Sequence, residues 1–325
     1  MKFDKIISLE KCWHGLEQIV PEIKFDNSGL DWTVEKRQLF IPCGDDHCPV
    51  DGWQAVVRAD NHLVLNIPKT TYSIIQNSRV WEIIENALVG VNHKVAVTGS
   101  LQNCRKVFIS VSIDGKQDYV VNGDKFQNFL TFTTSHDGSI ALECYDTSIR
   151  VVCQNTLNAS RANKAGNVNL KVYHTKGNEF KIKDMEKTLE DLFVKREEFY
   201  NSLEYLANKP MTVEQANKIL TGFLGSEELS TRVENQVEEI VGLFRNGKGN
   251  QGKSAYDLLN GVTEYFTHNA SDNKVKLLTS NEFGSAGEKK VEFYDLLLSD
   301  KELDALAKRG EKLLAQATTV EAVTV

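Results

Sequence analysis

The stretch VFISVSIDGKQDYVVNGDKFQNFLTFTTSHDGSIALECYDTSIRVVC, Val107 to Cys153, decides the fold class. Val107 to Ile113 is rich in β-branched and aromatic residues and ends at Asp114-Gly115. Gln117 to Val121 ends at Asn122-Gly123, and Phe126 to Thr134 is followed by Asp137-Gly138. Ser139 to Tyr145 and Ile149 to Cys153 flank Asp146-Thr147, read as a short turn. Asp-Gly and Asn-Gly supply the positive φ that tight hairpins need, so the stretch predicts an antiparallel meander. Leu130, Phe132, Ile140, Leu142 and Cys144 fall on one face, and Thr131, Thr133, Ser139 and Glu143 on the other. One face is expected to pack and the other to meet solvent or a ligand.

Working outward, Trp53 to Ala59 and Leu63 to Ile67 read as a further strand pair around Asp60-Asn61. Thr71 to Leu88 carries apolar residues at helical spacing and is expected to cover the sheet. From Lys183 the period changes. Met185, Leu189, Leu192, Phe193, Phe199, Leu203 and Leu206 mark an amphipathic helix, and Thr212 with Gln215, Thr231 with Glu234, and Ser254 with Asp257 have capping-box spacing. The expected class is α+β: an antiparallel β-meander sheet with a covering helix in residues 1–182, an all-helical region over 183–316, and a flexible tail over 317–325.

At 325 residues, 41% hydrophobic and 26% charged, the chain is excluded from collagen-like, low-complexity and wholly disordered classes. No apolar run approaches the roughly 18 residues that span a bilayer, and the start lacks a secretory apolar core, which predicts a cytosolic protein with no membrane partner. Six cysteines without an export signal read as reduced thiols. The net charge is −7, yet residues 94–181 hold more Lys and Arg than Asp and Glu while both flanks are acidic.

Several motifs invite a chemistry. Gly247-Lys248-Gly249-Asn250-Gln251-Gly252-Lys253-Ser254 has the spacing of a phosphate-binding loop, but helix precedes it where that mechanism needs a strand, so it reads as an inter-helix loop ending in a capping serine. Cys43, His47 and Cys48, with Cys12 and His14 upstream, offer zinc ligands, but as a single knuckle, and the expectation is no metal. Cys153 near His136 or His174 would make a thiolate nucleophile and base, yet it closes an apolar strand and reads as core. No catalytic residue and no cofactor is expected. Arg105, Lys106, Phe108, Lys125, Phe126, Phe129, Arg150, Arg161, Lys164, Lys171 and Tyr173 interleave base-stacking rings with phosphate-binding cations, which suits single-stranded nucleic acid.

Four segments carry a family resemblance: Trp13-His14-Gly15-Leu16, Ser135-His136-Asp137-Gly138-Ser139, the run from Thr147 to Leu157, and the run from Ser254 to Tyr265, with Val172-Tyr173-His174-Thr175 also similar. Through them the chain resembles the phage/plasmid-like proteins built on domain of unknown function 932. The resemblance implies a mobile-element protein working in the bacterial cytoplasm, and no established activity. The leading expectation is a non-enzymatic protein that binds or anneals single-stranded DNA in replication or recombination, as a homo-oligomer. Its candidate contacts are Arg150, Asn155, Lys171, His174, Arg105, Lys106 and Arg161, beside the motif residues His136, Asp137, Cys153 and Gln154. The alternatives are a module that binds a host protein to modify defence or physiology, and a hydrolase or nuclease built on His136, Asp137 and His174.

Overall fold

The computed structural model describes residues 4–12, 14–113, 118–150, 155–157, 170–175 and 189–323. It is a mixed α+β structure with antiparallel sheets and helices gathered in the C-terminal part. The chain divides into two compact units. One takes Met1–Gln117, Asn128–Thr147 and Asn167–Val194; the other takes Asp118–Gln127, Ser148–Gly166 and Lys195–Val325.

The first unit holds β1 (Lys5–Ser8), β2 (Gln18–Ile19), β3 (Val34–Cys43), β4 (Asp46–Arg58), β5 (Val64–Asn66), α1 (Asn77–Ala87), β6 (His93–Leu101) and β7 (Lys106–Ile113). In its main sheet β2 pairs β1 in parallel, while β1–β6, β6–β7 and β7–β9 are antiparallel, β9 being Asp124–Ser135. The strand β10 (Leu142–Arg150) follows, with β12 (Leu170–Val172) paired to its Leu142–Cys144. A second sheet has the order β3-β4-β5. Val80, Ile83 and Ile84, one stripe of α1, and the C-cap Leu88 pack in one core with Val107, Ile109 and Val111 of β7 and Leu130 and Phe132 of β9. The covering helix is therefore present, but it starts at Asn77, not Thr71.

The residues before it do other work. Gln76 is the N-cap, and its side chain pairs with the backbone of Val34 in both directions, Val34 N–H to Oε1 at 3.0 Å and Nε2 to Val34 O at 2.6 Å. Fully buried Asn77 donates through Nδ2 to Leu30 O at 3.0 Å, and its Oδ1 is 2.9 Å from His136 Nε2.

Three expectations are corrected. Asp146 and Thr147 are not a turn but lie inside the single strand β10, both buried, with Thr147 Oγ1 2.8 Å from Thr131 Oγ1. A β-branched residue without glycine lacks the positive-φ signal and prefers the strand. The polar face of the sheet is only partly open to solvent: Thr131 and Thr133 are buried, with Ser110, Thr131 and Thr147 joining their hydroxyls across three strands, whereas Glu143 is half-buried and Ser139 is exposed. Finally, Cys43 and Cys48 form a disulfide across the β3–β4 hairpin. The two-residue loop Gly44-Asp45, with Gly44 at φ +66°, brings the strands together and places the cysteine Cα atoms 5.8 Å apart, within disulfide reach. The turn expected at Asp114-Gly115 lies outside the described residues. That at Asn122-Gly123 is observed, with φ +49° and +85°.

The second unit contains β8 (Asp118–Val121), the first residues of β9, the last of β10, β11 (Asn155–Leu157) and the helices α2 (Leu189–Ala207), α3 (Val213–Leu224), α4 (Thr231–Asn246), α5 (Ala255–Glu264), α6 (Lys274–Phe283), α7 (Ser285–Leu297) and α8 (Asp300–Val323). Helix continues past Gln316, where the sequence reading placed a tail. Tyr256 donates to Asp124 Oδ2 at 2.9 Å, and the Tyr119 ring stacks on Tyr200 at 4.0 Å, so β8 and the first residues of β9 are tied to this helical core. The helices α3 and α8 cross at Gly222 and Gly310, where a Cβ would come within 2.1 Å of Leu306 O and 1.8 Å of Lys218 O. Capping boxes form at Thr212 and Ser254, whereas α4 is capped by Ser230, one residue earlier than expected. In the glycine-rich loop, the amides of Gln251, Lys253 and Ser254 all donate to the Asp257 carboxylate, which takes the place a phosphate would need. No helix among the described residues is long and apolar enough to cross a membrane.

Asn77 gives the fold its sharpest test. Asn77→Ala strips a partner from Leu30 O and from His136 in a dry interior, and should cost about 3 kcal/mol in equilibrium denaturation. A loss below about 1 kcal/mol would show that these groups find other partners.

Candidate nucleic-acid interface

After β5 the chain turns back along β4. Gln54 N–H donates to Pro68 O, Trp53 bridges to Lys69, and Thr70 N–H donates to Gly52 O. A turn closed by Tyr72 N–H to Lys69 O follows, and Ser73 N–H then donates to His174 O. The backbone hydrogen bonds of this segment thus join β4 to the residues after β12 and are made outside any helix. On that frame the Tyr72 ring stacks on the His174 ring at 5.1 Å, the Tyr72 hydroxyl donates to Ser135 O at 3.2 Å, and Lys36 Nζ donates to Tyr72 O. A hollow of about 520 Å³ is lined by Pro68, Lys69, Thr71, Tyr72, His174 and Thr175.

Around it, Trp53 is 43% and Tyr173 55% exposed, and Lys36, Lys69 and Lys171 are exposed. Lys171 Nζ lies 2.7 Å from Glu143 Oε1 and 5.8 Å from the Tyr173 ring centre. Lys69 has no ion-pair partner among the described residues.

His174 is mostly buried. Its Nδ1 is 3.2 Å from Ser73 O, and its Nε2 is 3.2 Å from Ile140 O and 3.4 Å from Thr134 Oγ1. A neutral ring donates to one carbonyl and accepts from the threonine hydroxyl at its other nitrogen; burial holds its pKa below the ordinary histidine value, against the pull of the two carbonyls. His136 is completely buried, packed edge-on to Trp32 at 5.2 Å. Because Asn77 Nδ2 is spent on Leu30, its Oδ1 must accept, so His136 carries its proton on Nε2 and Nδ1 is left without a partner. Burial first, and then His174, push its pKa down to about 3. The ring is a structural post rather than a base open to substrate. Asp137 is half-buried and accepts from Ser139 N–H in a local turn.

The remaining candidates divide. Arg105 is exposed in the β6–β7 turn, and its carbonyl accepts from His136 N–H, whereas Lys106 is mostly buried on β7. Arg150 and Asn155 pair through their backbones between β10 and β11 and belong to the second unit, whereas Lys171 and His174 belong to the first. Arg161, Cys153 and Gln154 lie outside the described residues. Trp53, Lys69, Lys36 and Tyr72, which surround this hollow, are not among the candidates that the sequence singles out; the polar run Pro68-Lys69-Thr70-Thr71-Tyr72, poor in helix formers, is the one signal there.

The two histidines fix a pH response. Both have a folded pKa below the unfolded value of about 6.5, so the unfolded chain binds more protons, and stability present near neutrality is lost as pH falls from about 6.5 toward 3. In His136→Gln, the loss of unfolding free energy between pH 6 and 4.5 should be shallower than wild type by up to about 1.4 kcal/mol per pH unit. Equal slopes would contradict a buried neutral His136.

No curated protein and no solved structure matches the chain. A family model does, over residues 64–296. That range covers most of the chain and takes in Tyr72, His136 and His174, and three of the four segments of the resemblance, leaving out Trp13-His14-Gly15-Leu16. The chain belongs to the family described as Domain of unknown function (DUF932).

Proposed function

We propose that the protein binds single-stranded nucleic acid, DNA in the first place, along the strip from Trp53 through Lys69 and Tyr72 to Tyr173. The observation that carries this reading is an exposed ring beside a cation that has no ion-pair partner among the described residues, at a hollow of about 520 Å³: Trp53 is the bridge partner of Lys69, and Tyr72 and His174 line the hollow with Lys69. Bases stack on flat rings whatever their sequence, and lysines at the rim meet the phosphates. The strip uses different residues from the sheet's polar face, of which Thr131 and Thr133 are buried. The resemblance to phage/plasmid-like proteins supports annealing or protection of single strands in replication or recombination of a mobile element, in the cytoplasm of a bacterial host. An oligomer would add a modest charge per subunit along one strand.

A second reading, a module that binds a host protein, has one observation of its own. The β3–β4 hairpin is exposed along most of its length and carries Phe40 and Ile41 at 55% and 53% exposure. A hydrolase or nuclease gains no support from the geometry, because His136 is sealed from solvent.

Binding of a fluorescent oligothymidylate, measured over a salt series against duplex DNA and RNA of equal length, tests the proposal. Trp53→Ala should weaken single-strand binding about tenfold or more, and Lys69→Ala should lower the slope of log K against log salt by about 0.7. The variant Lys274→Ala, in the second unit, should leave both unchanged. Wild-type protein that does not bind single strands, or binding indifferent to Trp53 and Lys69, would overturn the reading.

A further inference from the structure

The soft ligands near the N-terminus divide into two chemistries. Cys43 and Cys48 bond to each other, and His47 stands exposed beside them. Cys12 and His14 instead converge with a residue that sequence reasoning had not grouped with them, Glu17. One ligand atom from each of the three lies within 4.8 Å of the other two, and among the described residues no other three such side chains are so gathered.

The convergence is built by the backbone. β1 and β2 are parallel neighbours, with Ile7 opposite Gln18 and Ser8 opposite Ile19, so the chain between them must fold back on itself. Gly15 makes that reversal at φ +61°, a conformation glycine adopts without strain. The Glu17 carboxylate then receives Cys12 N–H on Oε1 at 2.7 Å and Leu16 N–H on Oε2 at 2.8 Å, while His14 Nδ1 stands 3.0 Å from Oε2. The side chains of His14 and Glu17 are only 7% and 2% exposed. Ser8 Oγ is 3.1 Å from Cys12 Sγ.

We propose that Cys12, His14 and Glu17 form a zinc site. Zinc bonds of about 2.3 Å to sulfur and 2.0–2.2 Å to nitrogen or oxygen place tetrahedral ligand atoms about 3.3–3.7 Å apart, so three atoms already within 4.8 Å need move by only about an ångström. Thiolate, imidazole and carboxylate together suit zinc better than a hard cation, and one thiolate with one carboxylate neutralises its two charges. The outer supports are in place. Two amides hold the carboxylate, and Ser8 Oγ can donate to the thiolate. On binding, the Cys12 thiol releases its proton to solvent, and His14 takes the tautomer protonated at Nε2, freeing the Nδ1 lone pair for the metal. The fourth position is left to water, so the site has the open form and not the closed four-ligand form. Its place in the fold, at the connection of β1 to β2, makes metal binding a clamp on that edge of the sheet.

Cobalt(II) is the probe, added to the full chain after chelator treatment, with Cys43→Ser/Cys48→Ser as a parallel background so that reduction of the hairpin disulfide cannot supply a competing thiolate. The wild type and the double variant should each bind one cobalt with the sulfur-to-cobalt charge-transfer band and the visible absorption of a tetrahedral site, and zinc should displace it. Cys12→Ser should lose the charge-transfer band. Glu17→Gln, which keeps one of the two acceptor oxygens and removes the charge, should bind at least about tenfold more weakly, the loss that even outer-shell changes produce. Affinity should rise about tenfold per pH unit while one proton is released, and zinc should raise the melting temperature of wild type but not of Cys12→Ser. The proposal fails if wild type shows no cobalt–thiolate band, or if the band persists in Cys12→Ser. Should Cys12→Ser not fold, a Glu17→Gln variant with unchanged circular dichroism and undiminished cobalt affinity would overturn it equally.

Discussion

A buried amide that must be satisfied from three directions organises the first unit. Asn77 sits at the first turn of α1, where backbone N–H groups have no helical partner, and its side chain faces Leu30 O, Trp32 O and the His136 ring. Leu30 and Trp32 lead into β3, and His136 follows β9. One residue thereby ties the covering helix to the small sheet and to the large one. Gln76 beside it closes a two-way backbone pair with Val34, and Arg58, at the end of β4, lies over Trp32 at 4.5 Å. A polar junction of this kind is costly when half-made and directional when complete, which fixes how the apolar surfaces around it meet.

The surface we connect with function hangs from that junction. Because the helix starts only at Asn77, residues 67–75 are free to run along β4 and then to hydrogen-bond the segment after β12. That path carries Lys69 to the surface beside Trp53 and brings half-buried Tyr72 onto His174. Had the helix begun at Thr71, as its apolar spacing suggests, Tyr72 would have been one more residue on the helix. The exposed rings and cations are therefore a consequence of where the buried hydrogen bonds are made.

What could be read from the sequence was what short-range chemistry determines. Asn122-Gly123 marks a hairpin because positive φ is a property of two residues, and the capping boxes at Thr212 and Ser254 are likewise complete within four. Asp146-Thr147 misled because a weak turn signal was set against a strand whose partners, Thr131 and β12, lie elsewhere in the chain. Cys43-Gly44-Asp45-Asp46-His47-Cys48 was weighed as a metal knuckle, although Gly44-Asp45 was already a hairpin turn that would place its cysteines within reach of each other. Family membership followed from Ser135 to Ser139 and Thr147 to Leu157. The site was less legible: Tyr72 and His174 meet through a backbone bond between distant segments, and the basic, aromatic middle of the chain places Lys106, Phe108 and Phe126 in the interior. Which rings reach solvent is decided by tertiary packing, and composition does not carry that information.

Hydrogen–deuterium exchange on the full chain, with and without a saturating single-stranded oligothymidylate, tests the central claim most directly, since it reports where the strand lies without altering the protein. The account predicts new protection over residues 52–54, 68–73 and 171–175 and little change in the glycine-rich loop from Gly247 to Ser254. Protection confined to that loop or to the hairpin tip around Cys43 and Cys48, with residues 68–73 unchanged, would contradict it.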